Sequence, residues 1–426
     1  MLRRRRVSEK QVWVPSAAPF FLFGLFYYLF APAFVIRFLS ADNELLYVAT
    51  RYLDPTYFDL TYLLDALAIG ISFLLGYSLA KAITKARGSI ADHGSRQTSF
   101  PKILVLSFGG LIGYFAVMAN MSGAEFFTGY STYNILILGP FSTAAFLSAW
   151  FVNYFSRKEI RLLFLAIFGI CAVLLLGWGS RMFFVLSLMA LMLGVISKNK
   201  RLLRSPSFYG SVAIVCLFMV AIGIAREGGR EFGSDNLIAV LFAEPLFTSV
   251  SGSLYLENSG GRPIYGFPHD LVASVIHFIP SAIFPGKIEL ISQITFDENV
   301  ASPFGARSLL VSLYFNFGIF YPVFIAFIGF YYGVLYTKAR QSVFYRATYF
   351  SALPILTFLF FREGLSTVIK VMFFNGLVVP LFIALLLFWL FPRPAAEVKS
   401  RNSRPAHRAL SRPGHRSVST GRFERS

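Results

Sequence analysis

The chain has 426 residues, of which 56% are hydrophobic and only 14% are charged, against about 25% charged residues in an ordinary soluble domain. These values exclude a soluble enzyme and a disordered chain, and they indicate a polytopic membrane protein. The formal net charge of +18 would suit a nucleic-acid-binding protein, but in a membrane protein it is typical of basic cytoplasmic loops.

The apolar segments predict an all-α fold with about ten transmembrane helices, because a helix needs about 20 mostly apolar residues to cross the hydrocarbon core. The predicted spans are 17–39, 60–80, 103–122, 134–155, 162–178, 182–197, 208–225, 308–336, 344–361 and 371–391. Span 17–39 is too long for the apolar region of a signal peptide, so we expect it to be retained. Span 308–336 is unusually long, and we expect it to tilt or to extend beyond the membrane.

The distribution of charge predicts that both termini are cytoplasmic. With this orientation each cytoplasmic segment has more basic than acidic residues, and the external segments together are acidic. The chain then divides into a basic cytoplasmic N-terminus (1–16), seven spans (17–225), a large periplasmic loop (226–307), three spans (308–391) and a basic disordered cytoplasmic tail (392–426). Topology thus accounts for the basic charge, so we expect membrane lipid as a partner and no nucleic acid.

The external loop, residues 226–307, is too long to be a simple connection. It contains two apolar, helix-compatible segments, 237–247 and 271–284, which proline residues interrupt or end. We expect short interfacial helices that lie on the membrane surface or re-enter it.

Charged residues within apolar segments affect two of these assignments. As an alternative to a surface helix, segment 237–256 could cross the bilayer. Glu244 and Pro245 near the centre of the segment argue against such a crossing. Most predicted spans are free of charge. Asp65 is the main exception, and Arg37 is its predicted partner near the outer surface.

Basic residues on the acidic external side predict a phosphate site. They are Arg181, Arg226, Arg230, Arg262, Arg307, Arg362 and Lys287. The positive-inside rule disfavours arginine on this side, whereas a guanidinium group binds phosphate oxygens bidentately. We expect these residues to bind a lipid-linked pyrophosphate at the level of the outer headgroups. The alternative for each is interfacial anchoring, or pairing with Glu227, Glu231 or Glu363.

The external loop also contains candidates for a general base. His269 is favoured over His277, because it lies in a Gly/Pro-rich turn beside Asp270 and because histidine titrates near neutral pH. Asp270 and Glu257 are the acidic candidates. A purely structural role is the alternative for each of these residues.

Tyrosines among small polar residues predict sugar-binding surfaces at Tyr130, Tyr255 and Tyr265. Aromatic rings stack on the C–H faces of sugars, although the same composition is also typical of ordinary interfacial loops. The sequence contains no metal-binding motif, and we expect neither a metal ion nor a cofactor.

Three motifs give the chain a resemblance to bacterial O-antigen polymerases of the Wzy type, the oligosaccharide repeat unit polymerases. The first is Gly177-Trp-Gly-Ser-Arg181, which opens an apolar helix. The second is Tyr265-Gly-Phe-Pro268, with the prolines that follow it. The third is Leu313-Tyr-Phe-Asn-Phe-Gly318. The resemblance covers roughly residues 100–390 and extends to the predicted topology.

The resemblance implies an enzyme that joins oligosaccharide repeats linked to undecaprenyl pyrophosphate at the periplasmic face of the inner membrane. An acceptor hydroxyl attacks the anomeric carbon of the growing chain and undecaprenyl pyrophosphate leaves, without a metal ion. The product is O-antigen or capsule, and a chain-length regulator is a possible partner. The alternatives are a ligase that uses the same donor, and a flippase or other transporter. A transporter should place charges at the bilayer midplane, which most predicted spans lack.

Overall fold

The computed structural model describes residues 13–37, 51–53, 55–84, 109–110, 112–113, 116–117, 135–178, 180–226, 234–279, 283–294 and 307–373. Within these ranges the regular structure is helical, and no residue is in a strand. Most of predicted spans 103–122 and 371–391 lies outside the described residues, as do Tyr130, Arg230 and the tail 392–426.

The helices of the first half follow the predicted spans to within a few residues. They are α1 (Ala17–Val35), α2 (Leu60–Ile83), α3 (Ile135–Tyr154), α4 (Lys158–Gly177), α5 (Arg181–Lys198) and α6 (Pro206–Arg226). A π-helical turn, Phe26–Phe30, interrupts α1. It precedes Pro32, whose ring has no N–H and cannot continue a regular hydrogen-bond ladder.

The second half contains more short helices. They are α7 (Ser234–Asn258), α8 (His269–Phe278), α9 (Lys287–Ile294), α10 (Leu309–Phe317), α11 (Tyr321–Ala339), α12 (Val343–Arg362) and α13 (Leu365–Phe373). Within α12, the segment Leu353–Leu356 around Pro354 is a 3-10 turn.

Among the described residues, six helical segments are long and apolar enough to cross a membrane. They are α1, α2, α4, α5, α12 and the combined segment Leu309–Ala339. In α2, Leu64, Leu67, Ile71 and Leu75 form an exposed apolar stripe at helical spacing. Since no described part of the protein covers this stripe, lipid is the surrounding that stabilises it. The prediction of an all-α, multi-pass membrane protein is thereby confirmed.

The closest helix packing joins α2 and α11, which run in the same direction. Tyr321 donates a hydrogen bond to Asp65 at one end of the pair, at 2.9 Å. Thr84 and Thr337 are hydrogen-bonded at the other end, at 3.1 Å. A Cβ atom at Gly329 would collide with the backbone of α2, so only glycine permits this approach.

The predicted single helix 308–336 is broken in the structure. Gly318 ends α10 with a φ of 54°, in the left-handed region that favours glycine. The 3-10 turn Gly318–Phe320 follows, and Pro at the second position of α11 then starts a new helix. The long apolar run therefore forms two helices, and its break lies beside the segment that precedes α8.

The expectation that Pro245 interrupts a short surface helix was wrong. The structure has one helix of 25 residues, Ser234–Asn258, with Pro245 inside it. Leu246, Phe247 and Val250 on this helix are buried in the main hydrophobic core. The free energy gained by burying one face of the helix offsets the cost of the hydrogen bond that proline cannot make. By contrast, α8 and α9 are short, with 10 and 8 residues.

The two ends of the helix bundle are defined by different contacts. At one end, Tyr62 in the first turn of α2 donates to the carbonyl of Leu29 at 2.8 Å, and Arg262 binds Asp65. We call this the arginine end. At the other, Tyr349 donates to the carbonyl of Pro15 at 3.0 Å. Lys81 lies there at the same end of α2 as Thr84, and we call it the basic end.

Candidate functional site

Arg307 and Arg362 meet at the arginine end through their backbones. The amide of Arg307 donates to the carbonyl of Arg362 at 2.8 Å. Arg307 precedes Ser308, whose hydroxyl caps α10, and Arg362 is the last residue of α12. A Cβ atom at Gly364 would lie 3.2 Å from Nη1 of Arg307. The absence of a side chain at this glycine therefore lets the Arg307 guanidinium lie along the backbone.

Arg362 is accompanied by two acids. Its Nη1 lies 2.8 Å from a carboxylate oxygen of Glu363, and its Nε lies 3.6 Å from Glu244. Tyr28, in the π-helical turn of α1, donates to Glu244 at 3.3 Å. Burial raises the pKa of Glu363 and the charge of Glu244 adds to this, whereas Arg362 and Arg307 lower it. These contacts hold the guanidinium of Arg362 in one place.

Arg181 lies next to this pair at the start of α5. Its Nη1 donates to the carbonyl of Met219 in α6 at 3.2 Å. The following residue, Met182, accepts a contact of 3.5 Å from Nη1 of Arg362 at its sulfur. The start of α5 therefore lies beside Arg307 and Arg362, and we call Arg181, Arg307 and Arg362 the arginine cluster.

Arg262 occupies a separate position at the start of α2. It lies 2.9 Å from Asp65 and 3.3 Å from Asp59, the residue that caps α2. The predicted pairing of Asp65 with Arg37 was therefore wrong, since Asp65 pairs with Arg262. Gly260 and Gly261, both with positive φ, turn the chain after α7 so that Arg262 lies over the first turn of α2. Through these two carboxylates, Arg262 links the segment after α7 to the start of α2.

Asp270 and Asn316 form a reciprocal pair between α8 and α10. The amide of Asp270 donates to Oδ1 of Asn316 at 2.8 Å, and Nδ2 of Asn316 donates to Oδ2 of Asp270, also at 2.8 Å. Asp270 is 1% exposed, and its Oδ1 accepts no hydrogen bond from the described residues. Burial raises the pKa of the Asp270 carboxyl, while Asn316, Arg307 and His269 act to lower it. A buried carboxyl with one unoccupied oxygen can accept or hold a proton.

His269, the first residue of α8, lies between two aromatic rings. The centre of its ring is 4.8 Å from that of Phe267 and 5.0 Å from that of Phe315. Its Nδ1 is buried and forms no hydrogen bond within the described part of the chain. The chain thus places an imidazole next to the carboxyl of Asp270, and one of its ring nitrogens has no hydrogen-bond partner among the described residues. His277, further along α8, is half-buried, and burial lowers its pKa, as do the charges of Lys370 and Lys287.

Two of the motifs that carry the resemblance meet in the structure. The amide of Ile319 donates to the carbonyl of Ile264 at 3.2 Å. A Cβ atom at Gly266 would collide with the backbone at Asn316 and Phe317. The segment 264–266 therefore lies directly against the end of α10, and this contact sets Asp270 opposite Asn316.

The remaining predicted site residues are dispersed over the arginine end. Tyr255 is half-buried on α7 beside Arg262, and Tyr265 is 79% exposed with its ring 6.3 Å from that of Phe320. Glu257 is exposed on the last turn of α7 and makes no hydrogen bond or ion pair with another described side chain. Lys287 donates to the carbonyl of Ile279 at 2.8 Å.

Other predicted positions lack a described side chain. Arg226 is the last residue of α6, and Arg230 and Tyr130 lie outside the described residues. Three residues that sequence reasoning did not assign to the site are Glu244, Asn316 and Glu363. Asn316 stands in a quoted motif, and Glu363 was considered only as an alternative arginine partner.

Comparison of the chain with protein-family models, with curated proteins and with solved structures gave no match. The chemistry that the site can perform is therefore inferred from its residues and their geometry. Three guanidinium groups suit an anion with several oxygens, such as a pyrophosphate. The adjacent imidazole and buried carboxyl suit a proton transfer.

Proposed function

We propose that the protein is a polysaccharide polymerase that acts on oligosaccharide repeats linked to undecaprenyl pyrophosphate. The observation that carries the proposal is the contact of Arg307 with Arg362, which lies beside the helix that begins at Arg181. The charge of Arg307, like that of His269, also acts on Asp270. Outer arginines are disfavoured in membrane proteins, so a group of them needs a chemical reason. Binding of a lipid pyrophosphate is such a reason.

In the proposed reaction, a hydroxyl of one repeat attacks the anomeric carbon of a chain held on undecaprenyl pyrophosphate. The C–O bond to the pyrophosphate breaks, and the negative charge that develops on the leaving group is stabilised by the arginine cluster. Glu244 and Glu363 fix Arg362, which lowers the cost of ordering it during the reaction. These cationic side chains take the part that a metal ion has in other transferases.

The proton of the attacking hydroxyl goes to the His269–Asp270 pair. Nδ1 of His269 and Oδ1 of Asp270 are buried and have no hydrogen-bond partner among the described residues, so neither atom is committed to another described group. Asn316 is a positioning residue, because it holds both the backbone and the carboxyl of Asp270. We further propose that exposed Tyr265 binds sugar at the entrance to this region.

The proposed location is the bacterial inner membrane, with about ten spans, both termini in the cytoplasm and the arginine end facing the periplasm. The exposed apolar residues of α8, among them Val272 and Val275, support an interfacial helix at that end, opposite its buried Asp270 and Ser274. A product of O-antigen or capsule type and a chain-length regulator belong to the same proposal.

The test is the length distribution of surface glycan in cells from which the gene has been deleted and then restored. Loss of a polymer ladder, with a single repeat still attached, is the result that the proposal predicts. A complete loss of attached repeats would instead indicate a ligase or a flippase, because either loss leaves no repeat on the acceptor. An unchanged ladder would exclude all of these functions.

A further inference from the structure

A small cavity lies at the basic end, away from the arginine cluster. Its volume is about 70 Å³. A single water needs only about 10–15 Å³ of such space, so the cavity accommodates a group of several atoms. Helices α3, α5 and α12 form its walls through Asn153, Gly194, Ser197, Lys198 and Arg346.

Two cations line this cavity, and the charge of a third acts on one of them. Lys198 and Arg346 line the cavity, and Arg161 in the first turn of α4 is close enough for its charge to act on Lys198, as the charge of Arg346 also does. Nε of Arg161 is buried and makes no hydrogen bond with the described residues. No ion pair within the described part of the chain includes Arg161 or Lys198. Their mutual repulsion is therefore not offset by a described acid.

The polar wall of the cavity is held in place by internal hydrogen bonds. Nδ2 of Asn153 donates to the carbonyl of Ala190 at 3.0 Å, and the hydroxyl of Ser197 donates to the carbonyl of Gly194 at 3.0 Å. A Cβ atom at Gly194 would collide with the Asn153 amide, so glycine makes room for that side chain. Arg346 is fixed by a bond of 3.1 Å from its Nε to the carbonyl of Ala339. The site is thus shaped before any ligand binds.

We propose that this cavity binds a phosphate group, supplied either by an anionic lipid headgroup or by a soluble phosphate. A phosphate accepts hydrogen bonds from guanidinium and ammonium groups, and its charge offsets the repulsion among Arg161, Lys198 and Arg346. The partly exposed Arg346 and the exposed Lys198 leave it open at one side. The site lies at the end opposite the arginine cluster, and it stands independently of the proposed polymerase activity.

The test uses the full-length protein in neutral detergent and measures the midpoint of thermal unfolding. One series adds phosphatidylglycerol, a second adds phosphatidylcholine, and a third adds inorganic phosphate at constant ionic strength. Stabilisation by phosphatidylglycerol alone identifies a lipid headgroup, and stabilisation by inorganic phosphate as well identifies a soluble phosphate. No stabilisation by either phosphate source, or equal stabilisation by phosphatidylcholine, overturns the proposal.

Two variants and one control assign the effect to the cavity. Lys198→Gln and Arg346→Gln each remove one charge-assisted contact, and the apparent affinity should fall about tenfold for each. Arg201→Gln removes the same charge from an exposed residue at the same end that does not line the cavity, and it should leave affinity unchanged. Lys198 is exposed, so its variant should fold. An equal loss in all three variants would indicate general attraction to the basic end and would refute a defined site.

Discussion

The two ends of the bundle carry positive charge in opposite ways. At the arginine end, Arg262 and Arg362 each contact two carboxylates, and the charge of Arg307 acts on the carboxyls of Asp270 and Glu363. At the basic end, Lys81 and Lys338 lie over tyrosine rings, and Arg161 and Lys198 have no described acidic partner.

The cations at the two ends are therefore suited to different purposes. Acidic partners fix a guanidinium in space, which suits the recognition of one charged group in one geometry. Cations without acidic partners retain a net positive charge, which suits topology and attraction to anionic lipid. Substitutions at the two ends should therefore have different consequences.

Arg307→Ala should have the largest effect, a loss of polymerisation of about 10²–10³-fold, because it removes a charge that stabilises the leaving pyrophosphate. Arg181→Ala should behave in the same way. The measurement is the polymer ladder and the rate of undecaprenyl pyrophosphate release in membranes with equal amounts of inserted protein. Arg307→Lys should restore activity only in part, since the fork geometry is lost. Full activity of both alanine variants would contradict the assignment of the arginine cluster.

Asp270→Asn should change how stability depends on pH. Burial raises the pKa of the Asp270 carboxyl above its ordinary value of 3.8, so the folded protein binds a proton there more tightly than the unfolded chain does. The stabilisation from this group is full below pH 3.8 and is lost as the pH rises through the raised pKa. Relative to Asp270→Asn, the wild type should therefore lose stability as the pH rises from about 3.8 towards neutral pH, and its unfolding midpoint should fall.

The measurement is the unfolding midpoint of the two purified proteins at matched ionic strength over that range. The asparagine variant keeps the shape of the side chain and has no titrating group, so it is the natural reference. Parallel curves would show that the carboxyl keeps its ordinary pKa in the folded state. Asn316→Ala, which leaves Asp270 in place without its partner, should enlarge the pH effect because the bond that lowers the pKa is lost.

Asp65→Asn should lower the free energy of unfolding by about 1–2 kcal/mol, because a charged partner of Arg262 and of Tyr321 is lost. Polymerisation per folded molecule should hardly change. Asp59→Asn is the matched control. Its contact with Arg262 is longer and more exposed, so its cost should stay below about 1 kcal/mol. A double-mutant cycle with Arg262→Gln isolates the pair. A large loss of activity in Asp65→Asn would instead place Arg262 in the reaction.

Arg201→Gln at the basic end should have the smallest effect, with polymerisation and unfolding midpoint both unchanged. Arg201 is exposed and lies in the 3-10 turn Lys200–Arg204, away from the arginine cluster. Surface substitutions of this kind usually change stability by less than about 0.5 kcal/mol. A loss of polymer in this variant would show that the two ends are not functionally distinct.

The apolar helices were predictable because each is a long, mostly uncharged run that only a lipid surrounding stabilises. Predicted span 182–197 agrees with helix Arg181–Lys198 to within one residue at each end, and 60–80 lies within Leu60–Ile83. The break at Gly318 was not foreseen, because the apolar pattern continues through it and only the backbone angle reveals it.

The sequence offers candidate residue types for a site, but it does not indicate which of these residues contact one another. Asp270 and Asn316 are separated by 46 positions in the chain, and Asp65 and Arg262 by 197. Periodicity carries no information about which charges meet over such separations. The prediction of a helix end at Pro245 failed for a related reason. Local propensity predicts an end there, whereas burial of Leu246 and Val250 maintains the helix.

The proposed sugar transfer depends on stabilisation of the leaving lipid pyrophosphate by the arginine end. The most direct measurement reconstitutes the purified protein in vesicles with an undecaprenyl-pyrophosphate-linked repeat and follows both products, elongated glycan and free undecaprenyl pyrophosphate. The wild type should release both products in equal amounts, Arg307→Ala should lose nearly all of this activity, and Arg201→Gln should keep the wild-type rate. Elongation that is unaffected by Arg307→Ala, or no elongation by the wild type, would contradict the proposed sugar transfer.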